Sequence, residues 1–214
     1  TLAKVPFVAV RAVPRDPAIA AWTAAHNVPV VFHDDDPPRT VWSQILALAA
    51  RLGDVLPRDL RERVATKSRI REIAGEDGLG WNARLMMIHA GFTTNGARGF
   101  APPAAKYLAA KYGYEAERIP AARARAIEVL TALGERLGGA TYFGGDRPNA
   151  LDAYVATFVT PLREISEADC PSMQPAMRAG FAPAADELGP HVPPSLVALR
   201  ARMFERHLEW PIAI

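Results

Sequence analysis

Residues 142–156 read YFGGDRPNALDAYVA, a glycine-rich loop running into an apolar helix that holds a single acid. Asn149 and Asp152 stand three apart where that helix begins. At this spacing Asn149 can accept the Asp152 amide, and Asp152 can reach back to the amide of Asn149. Residues 150–160 are apolar on every side, the pattern of a helix enclosed by its neighbours. An enclosed helix cannot turn its first N–H groups to water, so it needs such a box. Taken alone, the box is a structural cap, and caps open helices of every function.

Outward from this stretch, residues 58–214 carry helix patterns with almost no strand signal. Residues 58–74 are charged and helical, with a break near GEDGLG, after which residues 81–90 resume the pattern. Residues 117–137 set Ile127, Leu130, Leu133 and Leu137 on one stripe and stop at Gly138–Gly139. Residues 194–208 gather Leu196, Leu199, Met203 and Phe204 on one side and arginines on the other.

The first 53 residues read differently. Residues 4–13 are short and β-branched, bounded by Pro14, which predicts a strand. Asp16 before Pro17 is an N-cap followed by proline at the first helical position, and the short helix it opens ends near Asn27. Residues 28–32 predict a second strand, residues 34–38 a turn, and residues 39–41 a short returning strand. From about Ser43, Ile45, Leu46, Leu48 and Leu52 predict a helix closed by Gly53. The organisation is a small α/β unit over 1–53 and an all-helical unit over 58–214, joined by the linker GDVLP.

Composition excludes several classes. A formal charge of +2 is too small to imply a nucleic-acid face. No apolar run reaches the roughly 20 residues that span a bilayer, and no signal peptide is visible at the start. Cys170 is the only cysteine, so no internal disulfide can form, in keeping with a cytoplasmic protein.

The loop with Tyr-Phe-Gly-Gly-Asp, a proline and a capped apolar helix resembles the glutathione transferase superfamily, in which such a box opens the central helix of the all-α domain. The Val-Pro pair entering a strand, followed by a turn, a short strand and a serine-started helix, resembles the glutathione-binding half of that family's thioredoxin-like domain. The resemblance covers essentially the whole chain. It implies a two-domain fold, a thioredoxin-like unit over 1–53 and an all-α domain over 58–214, with the first strand lying before Thr1.

The resemblance also implies roles. Val28 would offer its backbone to the cysteinyl part of glutathione, with Pro29 cis. Ser43 would hold the γ-glutamyl carboxylate at a helix N-terminus, where N–H donors and the helix dipole converge; a plain N-cap accounts for the same serine. Trp42 stands where the family usually has an acid, so a charge partner for the γ-glutamyl amine is absent there. Trp81, Arg84 and Met87 would flank an apolar pocket, with Arg84 meeting an acidic ligand or a carboxylate such as Asp152. The family's thiolate-stabilising residue would precede Thr1, so no catalytic residue is assigned within the chain. Glutathione as co-substrate, a small hydrophobic electrophile, a homodimer, and no metal, membrane or nucleic acid complete the expectation. The alternative is a transferase fold used for binding or scaffolding without catalysis. An unrelated helical ligand binder would require the α/β unit to be coincidental.

Four further features read as structural. HDDD, residues 33–36, is a solvated turn rather than a metal site, because consecutive residues alternate faces and do not converge. His89 beside Met86 and Met87 is a packing histidine. Cys170 has no basic neighbour to activate it. The basic run from Arg58 to Arg71 is a solvated helix face.

Overall fold

The computed structural model describes residues 2, 4–10, 16–25 and 28–212. Among them nine α-helices follow in order: α1 Pro17–Thr23, α2 Trp42–Leu52, α3 Leu60–Ala74, α4 Leu79–Thr93, α5 Pro102–Tyr112, α6 Ile119–Leu137, α7 Ala150–Val159, α8 Pro175–Leu188 and α9 Pro194–Arg206. No helix of the described residues is long and apolar enough to cross a membrane.

Helix α7 is the centre of the core. Its Leu151, Val155, Ala156 and Val159 are buried, as are Leu196, Leu199 and Met203 of α9. The predicted stripe of α6 holds too: Leu130, Leu133 and Leu137 are buried and Ile127 packs at the edge. Each fully buried side chain of this size contributes about 1.5–3 kcal/mol, so helix packing carries most of the stability. A smaller cluster of Leu85, Ile88 and Ala122 joins α4 to α6, with Trp81 and Tyr112 against it.

Glycine is required where α4 meets the loop before α5. The Phe100 N–H donates to the Met87 carbonyl at 3.3 Å. A Cβ on Gly99 would lie 2.2 Å from the Met87 oxygen and 2.7 Å from the Gly91 nitrogen, and Gly99 has φ +72°. The chain therefore passes α4 backbone to backbone, and only glycine fits both the space and the dihedral.

The amino-terminal expectations need correction. Asp16 does cap α1, accepting the Ala18 N–H at 2.8 Å, but the helix ends at Thr23, with Ala24 left-handed as its C-cap, short of the end expected near Asn27. The strand expected over 4–13 is not formed within 4–10, and Phe7, Val8 and Val10 are 65%, 89% and 55% exposed; residues 11–13 lie outside the described set. A β-branched run becomes a strand only with a ladder partner and a face to bury, and neither reaches this segment among the described residues. Residues 28–32 and 39–41 pair through one antiparallel bridge, Val31 to Arg39, with both N–H···O distances 2.9 Å. The turn between them is as expected, with the Asp36 N–H donating to His33. Helix α2 starts at Trp42 behind an extended Val41, so Ser43 lies inside the first turn and is not the cap. Helices α5 and α8 match no stripe in the sequence. Only Ala105 of α5 is buried, and α8 begins on one proline and encloses another, Pro183.

Candidate functional site

The α7 entrance accounts for every N–H of its first turn. Asp152, fully buried, accepts the Asn149 N–H at 2.8 Å and the Phe143 N–H at 2.9 Å. Asn149 Oδ1 accepts the Leu151 N–H at 2.8 Å, and the reciprocal bond from the Asp152 N–H completes the box. The remaining donor, Ala150 N–H, goes to the Val55 carbonyl at 2.7 Å, which ties the linker after α2 to the central helix. Burial pushes the Asp152 carboxyl up to about 6, while the Asn149, Phe143 and Asp152 amides pull it down.

This shift has a definite sign. Between its ordinary value of 3.8 and about 6, folded Asp152 holds its proton more firmly than the unfolded chain does. Its contribution is therefore full below the unfolded value and is lost as pH rises through the folded one. Relative to the non-titrating Asp152→Asn, the native protein should gain stability as pH falls from 7 to 4, read by urea unfolding at each pH. The opposite slope would mean that the amide bonds outweigh burial.

The N-terminus of α2 lies near this entrance. The Val41 carbonyl takes the Gln44 and Ile45 N–H groups, both at 3.0 Å. No side chain among the described residues caps this end. The Trp42 and Ser43 amides therefore face outward at the positive end of the helix, and Ser43 is exposed beside them. Trp42 is half-buried against the core, and Tyr154 of α7 donates a long hydrogen bond to its carbonyl at 3.5 Å. The Val28–Pro29 peptide is cis, and Val28 is 68% exposed with no backbone hydrogen bond among the described residues.

The HDDD tip is held by arginines. Asp36 accepts from Arg39 at 2.9 Å and pairs with Arg51 in the last turn of α2. These bonds, Arg51 first, hold its carboxyl below the usual range, a contribution present at neutral pH and lost as pH falls. His33 Nδ1 lies 3.3 Å from Asp34. Among the described residues, no group of three or more His, Cys, Asp or Glu could hold a metal ion.

The three residues expected around an apolar pocket do not share one cavity. Trp81 lines a cleft of about 720 Å³ between α4, α5 and α6 and meets the Tyr112 ring edge-on at 4.6 Å. Met87 is only 4% exposed and belongs to the core. Arg84 stands over the Phe100 and Tyr112 rings, at 5.8 and 5.5 Å, and not against Asp152, whose oxygens are taken by amides. His89 has a partner that its local sequence does not reveal, the Tyr114 hydroxyl at 2.8 Å, 25 residues on. Cys170 is fully buried, in keeping with a packing cysteine.

Residues 116–172 match the family described as Glutathione S-transferase, C-terminal domain. Over these residues the chain is similar to the glutathione S-transferase superfamily. The matched segment begins in the turn before α6 and runs past α7, so it contains the loop, the capping box and the buried helix. No curated protein matches the chain. None of Val28, Trp42 or Ser43 lies within the matched segment.

Proposed function

We propose that this chain binds glutathione at the amino-terminal end of α2 and presents its thiolate to an apolar electrophile, for conjugation or reduction. The observation that carries this reading is the outward-facing pair of amides at Trp42 and Ser43 with the exposed Ser43 hydroxyl. Three donors at a positive helix end suit the γ-glutamyl carboxylate. The free backbone of Val28 suits an added peptide rung. On this reading residues 1–53 act as the thioredoxin-like glutathione-binding unit and residues 58–214 as the helical unit. Trp81 and Arg84 would bear on the electrophile, the working form would be a homodimer, and the setting the cytoplasm. No metal takes part.

Trp42 favours a second reading. The family's usual acid at this position would pair with the γ-glutamyl amine, and an indole cannot. Without that charge the same helix end could serve a transferase fold kept for binding or scaffolding.

Calorimetric titration of glutathione separates the two. Binding should be saturable, and Ser43→Ala should weaken it by about tenfold, the worth of one charge-assisted hydrogen bond. Absence of binding at several millimolar glutathione would overturn the transferase reading and leave the non-catalytic one.

A further inference from the structure

The cleft of about 720 Å³ between α4, α5 and α6 is large enough for a small organic molecule. Trp81 and Leu85 of α4, Tyr112 of α5 and Ala122 of α6 give it apolar lining. No residue from 28–53 lines it, so it is separate from the helix end assigned to glutathione. Trp81 is the one residue the two readings share.

A buried acceptor opens into this cleft. Asn82 is 2% exposed, and its Nδ2 donates to the Asp77 carbonyl at 2.9 Å and the Gly78 carbonyl at 3.0 Å. Those carbonyls decide which end of the amide carries the nitrogen. Asn82 Oδ1 receives no donor among the described residues, yet no buried side-chain nitrogen or oxygen among them lacks a partner. This oxygen therefore reaches the cleft that Asn82 lines. The Asp77 carboxylate lies beside it, 3.4 Å from Nδ2, and its other oxygen is 3.8 Å from Arg125.

The surrounding charge is negative. Arg125 pairs with Glu128 at 2.8 Å and with Glu72 as well as Asp77, more acid than one guanidinium offsets. Glu76 and Glu115 add exposed carboxylates that make no ion pair among the described residues, and Lys111 and Arg118 balance only part of the surplus. The aromatic pair is unevenly used. Arg84 and Lys111 stand over the Tyr112 ring at 5.5 and 5.6 Å, whereas the Trp81 indole, the stronger cation acceptor, carries no cation among the described residues.

We propose that this cleft binds a protonated arylalkylamine, its ammonium beside the Trp81 indole and donating to Asn82 Oδ1 and the Asp77 carboxylate, its apolar body along Leu85 and Tyr112. An N–H donor is required, because Oδ1 can only accept. An inorganic cation would leave the apolar lining unused.

Phenethylamine, protonated at pH 7, is the probe, titrated calorimetrically into the full chain without glutathione, so that its outcome is separate from that of the glutathione titration. It should saturate a single site. 2-Phenylethanol, which keeps the body and lacks the charge, should bind about tenfold more weakly, and phenethyltrimethylammonium, charged but without an N–H, should also be weaker. Asp77→Asn keeps the acceptor for Asn82 and suits the left-handed φ of +58°, and it should weaken phenethylamine by about tenfold. Trp81→Leu should weaken it about fivefold, with native circular dichroism in both variants. Failure to saturate at several millimolar phenethylamine, equal affinity for either analogue, or an unchanged affinity in either variant would each overturn the proposal.

Discussion

Asp152→Ala should lower the unfolding free energy by about 3 kcal/mol, read by urea unfolding at pH 7, because two buried amides then lose their acceptor at about 1–3 kcal/mol each. Part of that loss is offset, since the ionised carboxylate is itself costly to bury, as its raised pKa shows. In a chain of this size the melting temperature should fall by about 6–12 °C. Asn149→Ala is the internal comparison. It removes an ordinary cap acceptor and should cost about 1 kcal/mol. The difference arises because Asp152 also holds Phe143, nine residues back, and so fixes the loop as well as the helix. A loss below 1 kcal/mol for Asp152→Ala would mean that water reaches the vacated amides.

Gly99→Ala should be as damaging for a different reason. The added methyl would stand 2.2 Å from the Met87 carbonyl oxygen and 2.7 Å from the Gly91 nitrogen, and both are helix backbone that cannot swing aside. Its left-handed φ of +72° adds about 1–2 kcal/mol for any residue with a Cβ. A total of at least about 3 kcal/mol is expected, in the range reserved for overpacking and backbone strain. Gly139→Ala is the control, because a Cβ there meets nothing within 4 Å. Thermal unfolding of the two variants should separate them clearly. Equal melting temperatures would show that the α4 contact is loose.

Legibility in the sequence follows the range of the interaction. The Asn149–Asp152 box spans three residues, and its two reciprocal bonds could be written down from spacing alone. The stripes of α6 and α9 were equally local, since a helix face is set by its own residues. Strands were not, because residues 4–10 have the composition of a strand but no neighbour among the described residues to pair with. Ser43 was misread as a cap because serine is the commonest cap, whereas Val41 already had the extended backbone that the position needs. The partners of Asp36, His89 and Ala150 lie 15, 25 and 95 residues away, respectively, and periodicity is blind to such separations. Helix α8, rich in alanine and proline, gave no stripe, and its burial of Gly180, Pro183, Ala184 and Leu188 is visible only in the fold.

The Val55 carbonyl that receives the Ala150 amide makes the two parts of the molecule interdependent. A connector would ordinarily tolerate insertions, since loop length is a weak determinant of stability. Here one connector atom completes the first turn of the central helix. Lengthening residues 53–57 would leave that turn a buried donor short, so the two halves should melt in one transition rather than two. Exchange of the amino-terminal part for that of a relative would then succeed only if the graft carried this stretch with it.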